Sequence, residues 1–588
     1  MSNSKRPTTG RNTRRLLGLS LVLFLAAAAS LAGLDTRGPG LQAKPSKANG
    51  ARPNILVIES DDQSQEAQRV MDVVNRRIGG QGATFRDSFV SDPLCCPSRA
   101  AFLTGQYARN NGVRTNSPPD GGYSALDNSN TLPVWLQDSG YYTSLIGKYL
   151  NGYERTPQPQ TIPAGWTNWQ GTTVTYKYYD YQLNENGQLV DYGEDPADYQ
   201  TDVFTQKAVD LIQQQQGTRK PWFTWLTYLA PHGGGPEPSP NPPANCGDTA
   251  KPAPRDAGAF DDEPLPIGPS FNESDVSDKP SFIADQSLFS SGTINEIQRR
   301  YRCRLGSLLA LDDGVDRIID TLRQTGQLDN TYIIYTSDNG WFDGQHRITS
   351  GKRRLYEPSI RVPLMIRGPG IKPGTEVKDL AINTDLAPTI ASLAKAGDDV
   401  RRKFDGRSLR PFWLKPSRQR GRQLLLDGTR KRGSAIRNRR YYFAHFVTGE
   451  YEMYDLANDP DELQNVYGDP NYADAQAALT ADLDALKRCA GARCTRSTGA
   501  KLVIQRRGNR PRQCARPPRA ARLIVPGGGI DRVAFKVDSA ATVLDTEPPF
   551  GVEISPGQAS RAQLTVDARV ELLDGRRVTL SKTATICH

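Results

Sequence analysis

The chain has 588 residues, 37% of them apolar and 23% charged, enough apolar material for a large buried core, which excludes wholesale disorder. Its net charge of +10 suggests a nucleic-acid partner. Residues 1–50 carry +7 and residues 496–588 carry +8, leaving −5 on 51–495, so the long middle of the chain lacks the basic excess that such a partner needs.

Lys5, Arg6, Arg11, Arg14 and Arg15 precede an apolar run from Leu16 to Ala32, and Ser30-Leu31-Ala32 fits a small-x-small cleavage site. Residues 1–32 are therefore expected to be an export signal. The same run is just long enough to remain as a membrane anchor. Thr13–Leu17 also resembles a twin-arginine signal, and 33–50 reads as a linker. Asn54-Ile-Leu-Val-Ile58 predicts a buried strand with Asp61-Asp62 at its tip. Helices are expected over 98–108 and 131–139, a strand over 141–146 and a helix over 200–215. Trp222–Leu229 predicts a strand leading into Ala230-Pro231-His232, and 235–285, rich in Pro, Asp, Gly and Ser, a surface loop. A helix over 293–324 precedes a strand at 330–335 that leads into Asp338-Asn339-Gly340, and 362–366 is a further strand. This alternation predicts an α/β fold, a mostly parallel sheet flanked by helices, with ligands at the C-terminal strand ends. From 496 onward short alternating segments (521–525, 532–537, 563–573, 577–581) predict a small all-β, Ig-like sandwich. The expected domains are thus 51–495 and 496–588.

Of the eight cysteines, Cys95 and Cys96 are adjacent. An exported protein keeps disulfides, and Cys246–Cys303, Cys489–Cys494 and Cys514–Cys587 are the expected pairs, although sequence alone leaves the connectivity open. Asp61, Asp62, Asp338 and Asn339 are hard oxygen donors that suit Ca²⁺, with Mg²⁺ the poorer fit because it prefers to keep water ligands. Asp61-Asp62 alone reads equally as a helix cap or solvated turn, and Asp338-Asn339-Gly340 alone more readily as a plain turn. Their shared position at strand ends, taken with the cysteine motif that follows, favours a metal site.

Cys95-Cys96-Pro97-Ser98-Arg99, continued by Leu103-Thr104-Gly105, resembles the sulfatase signature C-x-P-S-R followed by T-G. Asp61-Asp62-Gln63, Gly147-Lys148-Tyr149, Ala230-Pro231-His232, Ser337–Gly340, Lys352, Arg361-Val362-Pro363 and Tyr454-Asp455-Leu456 with Asp459–Glu462 fall in the order expected of type I sulfatases. The resemblance spans about residues 52–490. It is closest to the N-acetylglucosamine-6-sulfatase branch through Leu94–Ala100, Gly147-Lys-Tyr-Leu-Asn151, Leu328-x-Asn-Thr-Tyr332 and Arg354-Leu-Tyr-Glu357.

The resemblance implies an alkaline-phosphatase-like fold and conversion of Cys95 to formylglycine by a formylglycine-generating enzyme. Hydration of that aldehyde gives a geminal diol; one hydroxyl attacks sulfur and the other then expels sulfate by restoring the aldehyde. Cys96 would remain a thiol. Asp61, Asp62, Cys95, Asp338 and Asn339 would surround Ca²⁺. Arg99, Lys148, His232 and Lys352 would oppose the sulfate charge, and His232 would protonate the leaving group. His346 is a second proton-shuttle candidate, with a structural role equally open. Asn151 would touch substrate. Many sulfatases carry a histidine soon after the Gly-Lys pair; Lys148-Tyr149-Leu150-Asn151 lacks one, which leaves the base for sulfate elimination unassigned.

The implied substrate is a sulfated carbohydrate or aryl sulfate, met outside the cytoplasm, and nucleic acid is not an expected partner. Alternatives are a phosphate or phosphonate monoester hydrolase, and a binding protein with a relict site, which the complete residue set opposes. Arg506, Arg507, Arg510, Arg512, Arg516, Arg519 and Arg522 read either as a solvated linker or as a contact for an anionic polymer.

Overall fold

Strand β1 (Asn54–Ser60) is buried along its whole length, as its unbroken apolar run requires. It lies in a computed structural model that describes residues 52–495, except 157, 159, 175, 236–245, 397–402, 418–420 and 429–431, and then 501–505, 520–524, 530–546, 550–554, 563–573 and 575–585. The expected signal segment, the Cys514–Cys587 pair and Arg506–Arg519 fall outside these residues.

The sheet around β1 contains β2 (Ala83–Phe85), β3 (Tyr142–Gly147), β4 (Asn168–Thr172), β5 (Tyr181–Glu185), β6 (Gln188–Tyr192), β7 (Trp222–Thr227), β8 (Thr331–Ser337), β9 (Leu364–Arg367) and β10 (Thr375–Val377). Their spatial order is β10-β2-β9-β8-β1-β7-β3-β4-β5-β6. The centre, from β8 to β4, is parallel. Strands β9, β5 and β6 run antiparallel to their neighbours, so the sheet is mixed toward its edges. The Asp61, Lys148, His232 and Asp338 regions therefore emerge at one end of four adjacent parallel strands.

Helices cover both faces. Ile55 and Val57 pack in one core layer with Phe102 of α1 (Cys95–Thr104), Leu136 of α2 (Leu132–Asp138) and Ile390. Leu56 and Ile58 pack in the other with Phe204 of α3 (Gln200–Gln214) and Leu308, Leu311 and Val315 of α4 (Ser291–Gln324). Each such fully buried side chain stabilises the fold by about 1.5–3 kcal/mol. The Ser290 hydroxyl caps α4 by accepting from Thr293 N–H at 3.2 Å.

Helix α1 begins at Cys95, three residues before the expected start, because Leu94 precedes it without a side-chain cap that would mark the boundary. The segment 424–455 forms a four-stranded antiparallel sheet that sequence patterning did not anticipate. Leu479 and Leu483 of α5 (Ala473–Leu486) pack in one cluster with its Leu425, Phe443 and Met453.

Cys246–Cys303 ties the expected 235–285 loop to α4, and Cys489–Cys494 closes a short loop, both as expected. Cys95 and Cys96 are free and buried. Beyond 500, two small antiparallel sheets share Leu502, Phe535, Val552, Val566 and Val570 in one core, the expected sandwich. Arg576 meets Asp482 at 3.5 Å, linking this region to α5.

Candidate active site

Cys95 is the first residue of α1, and Arg99 follows one turn later on the same face. Arg99 is completely buried. It donates through Nε to Asp338 Oδ2 at 2.9 Å, through Nη2 to Asp61 Oδ2 at 3.3 Å and through Nη1 to the Lys148 carbonyl at 3.0 Å. One guanidinium thus ties together the tips of β1, β3 and β8.

Asp62 adopts φ +69°, a left-handed conformation unusual for a non-glycine residue, and its N–H donates to Asp338 Oδ1 at 3.1 Å. Lys148 follows Gly147, whose φ is +109°; a Cβ there would meet the Thr227 carbonyl at 2.0 Å. Only glycine lets the tips of β3 and β7 approach so closely. Lys148 Nζ then pairs with Asp61 Oδ2.

Lys352 comes from the loop after β8. Arg353 N–H donates to the Pro93 carbonyl at 3.0 Å, which brings the loop beside the segment leading into α1. Lys352 Nζ pairs with Asp62 Oδ1, lies 3.9 Å from Asp61 Oδ1 and reaches Cys95 Sγ at 2.7 Å. Cys95 Sγ is 3.7 Å from Asp61 Oδ1. His232 Nε2 is 3.6 Å from Asp62 Oδ2, and its Nδ1 lies 2.7 Å from the Gly233 carbonyl. Asp61, Asp62, Cys95 and His232 offer ligand atoms that all lie within 4.8 Å of one another. Asp62 Oδ2 and Asn339 Oδ1 are buried without a hydrogen-bond partner. Asn339 Nδ2 donates to Asp62 Oδ1 at 2.6 Å.

The electrostatics follow from burial and crowding. Burial opposes ionisation of Asp61, but Lys148, His232, Arg99 and Lys352 overcome it and hold the carboxyl far below the usual range. Lys352 and His232 do the same for Asp62 against its burial. Asp338 is pushed up by burial and by the nearby Asp61 charge. Burial raises the Cys95 thiol to about 12, outweighing the two lysines, so at neutral pH it is a protonated, weakly nucleophilic thiol. Burial lowers His232.

Nine of the expected site residues thus meet in one place: Asp61, Asp62, Cys95, Arg99, Lys148, His232, Asp338, Asn339 and Lys352. Asn151 stands at the margin, its amide donating to Tyr176 Oη at 2.5 Å. His346 lies apart. Its Nδ1 meets Glu273 Oε2 at 2.8 Å and its ring packs on Tyr356 at 4.7 Å, among groups that brace a loop. Three neighbours escaped sequence reading. Glu59 faces Arg99 at 3.2 Å, and burial raises it to about 8. Arg304 donates to the Pro231 carbonyl at 2.9 Å and to the Asp62 carbonyl, clamping two strand-end loops. Tyr176 stacks on His232. An acid ending the β1 apolar run and an arginine on the buried face of α4 were visible signals for the first two; Tyr176 offered none.

The family model for "Sulfatase" matches residues 53–396, and that for "N-sulphoglucosamine sulphohydrolase, C-terminal" matches 338–489. An arylsulfatase of Volvox carteri is 34% identical over 509 residues, covering 78% of each chain. The human N-acetylglucosamine-6-sulfatase is 35% identical over 377 residues, covering 62% of this chain and 65% of that protein. Among solved structures, a protein in complex with its substrate D-glucosamine-2-N,6-O-disulfate superposes with a TM-score of 0.60 and 25% identity, covering 74% of this chain and 97% of the other.

Proposed function

The chain belongs to the sulfatase family and is a sulfuric ester hydrolase, and from that premise we propose that it desulfates a sulfated amino sugar of the 6-O-sulfated N-acetylglucosamine type, using a formylglycine made from Cys95 beside bound Ca²⁺. The family implies a formylglycine and a divalent cation. The observation that carries the reading is the meeting of Cys95 with three aspartates, two lysines, Arg99 and His232 at the ends of parallel strands.

The donor set fits a hard cation: the unpartnered Asp62 Oδ2 and Asn339 Oδ1 are buried oxygens, joined by Asp61 and Asp338. Held by Asp61, Asp62, Asp338, Asn339 and residue 95, the cation would supply Lewis-acid polarisation of the sulfate, and the hydrated formylglycine an oxygen nucleophile with a built-in exit route. The protein's own groups do the rest. Arg99 orients Asp61 and Asp338 against the start of α1. Lys352 and Lys148 bring positive charge to where sulfate charge grows. His232, with Nδ1–H directed to the Gly233 carbonyl, keeps Nε2 toward the site, from which its charged form delivers a proton to the departing sugar oxygen.

The sugar is supported by the names and substrate of the relatives above. Residues 51–495 serve as the catalytic domain in this reading and 496–588 as an appended module. Export rests on the Lys5–Ala32 segment; among the described residues no helix is long and apolar enough to cross a membrane.

The test is mass spectrometry of the peptide around Cys95 together with a desulfation screen over defined sulfated sugars. A loss of about 18 Da relative to cysteine is expected, with Cys95→Ala inactive and Cys96→Ala retaining much of its activity. An unmodified cysteine in active protein would overturn the nucleophile, and faster turnover of an aryl phosphate than of an aryl sulfate would overturn the substrate class.

A further inference from the structure

Tyr176 lies in the connection between β4 and β5, remote in sequence from every motif of the site. Its ring stacks on His232 with centroids 4.5 Å apart and planes 14° from parallel. The same ring lies 5.0 Å from Lys148 Nζ, in cation–π geometry. Its hydroxyl accepts the Asn151 amide at 2.5 Å, a contact separate from the two made by the ring. Asn151 ends the Lys148-Tyr149-Leu150-Asn151 stretch, so one aromatic ring touches the catalytic lysine, the catalytic histidine and the residue three positions after that lysine.

His232 depends on this contact. Among the described residues, its Nδ1 is held only by the carbonyl of the next residue, and its Nε2 faces Asp62 at 3.6 Å, too long for a strong hydrogen bond. Neither contact fixes the tilt of the ring. The stacked tyrosine does so, and it also covers the ring face from solvent.

Resting on the sulfatase reading above, we infer that Tyr176 is a positioning residue that holds the His232 ring and the Lys148 ammonium in register for departure of the sugar oxygen. Tyr176 transfers no proton itself. Its ring removes the rotational freedom of the proton donor, so its contribution scales with how much the leaving group needs a proton.

Two esters separate this role from a merely structural one. On a sugar 6-sulfate, Tyr176→Ala is expected to lower kcat about 10–30-fold with KM changed less than about twofold. On 4-nitrophenyl sulfate, whose phenolate leaves without a proton, the loss should not exceed about threefold. Tyr176→Phe keeps both ring contacts and should stay within about threefold of wild type on both esters. Equal losses on the two esters in Tyr176→Ala, or an unchanged kcat, would overturn the proposal.

A second readout needs no turnover. The chain has four histidines, so protein labelled with ¹³C-histidine gives few ring signals. The His232 signal should leave its ring-shielded position in Tyr176→Ala and keep it in Tyr176→Phe, while that of His445, stacked on Tyr451 at 4.1 Å, stays fixed in both. An unmoved His232 signal in Tyr176→Ala would also overturn the proposal. Wild-type protein inactive on both sulfates would refute the sulfatase reading, and the His232 signal would then decide the packing of Tyr176 on its own.

Discussion

At the scale of single residues, burial decides what each ionisable group can do. Glu452 is a case away from the catalytic centre. Its Oε1 accepts from Tyr356 at 2.7 Å and Tyr454 at 2.6 Å, while its Oε2 is buried without a partner. Burial raises this carboxyl from 4.5 to about 7, against the two phenols. Because the folded pKa is raised, the folded state binds the proton more tightly than the unfolded chain. Its contribution to stability is therefore greatest below about pH 4.5 and declines as pH rises toward 7. Glu452→Gln keeps an acceptor for the phenols and removes the charge. The variant should show a flatter melting temperature between about pH 4.5 and 7 and a gain of up to about 3 kcal/mol above that range. Thermal melts across this window check it, and parallel curves for variant and wild type would refute it. The residues most legible in the sequence were those whose chemistry is carried by a motif: Cys95, Asp61, Asp338 and Lys352 all meet where expected. Tyr176 was illegible because stacking leaves no spacing pattern; it depends on where a loop lands.

At the scale of elements, the parallel strands were readable because buried β-branched runs end abruptly in acids and glycines. The β5–β6 hairpin was not read, although Asn186-Gly187 with φ of 53° and 98° is a strong turn signal. The antiparallel sheet of 424–455 escaped for a related reason: its Leu424-Leu425-Leu426 and Tyr441-Tyr442-Phe443 runs are buried on both faces and lack clean alternation. Strand ends set the site by close approach, and glycines report it. Gly147→Ala adds both backbone strain and a clash with Thr227, whereas Gly187→Ala adds strain alone, since its new methyl group would have nothing within 4 Å. The first should cost more than about 3 kcal/mol and abolish turnover by displacing Lys148, and the second about 1 kcal/mol with activity intact. Denaturant melts and assays of the two variants side by side test this ordering; equal costs would show that the β3–β7 approach is not tight.

At the scale of the whole molecule, the +10 charge resolves into basic ends around an acidic body, and the described body spends its buried cations on a few aspartates. Affinity for a polyanion is then a property of residues 496–588, which we propose contact an anionic polymer through the arginines that follow the strand Lys501–Gln505. Deleting that region should shorten retention on a heparin resin while leaving kcat on a small aryl sulfate within about twofold, because none of its described residues belongs to the site. Unchanged retention would return those arginines to the role of a solvated linker.

Cys95 is 1% exposed, roofed by Lys352 and backed by α1. In the proposed maturation of Cys95, a converting enzyme would meet in the folded chain only a buried thiol at the foot of a helix. On that reading maturation and folding are rivals in time, and conversion would precede the coiling of Cys95–Thr104. A chain that folded unconverted would keep a protonated thiol where the nucleophile belongs. The specific activity of a preparation would then record the history of its synthesis.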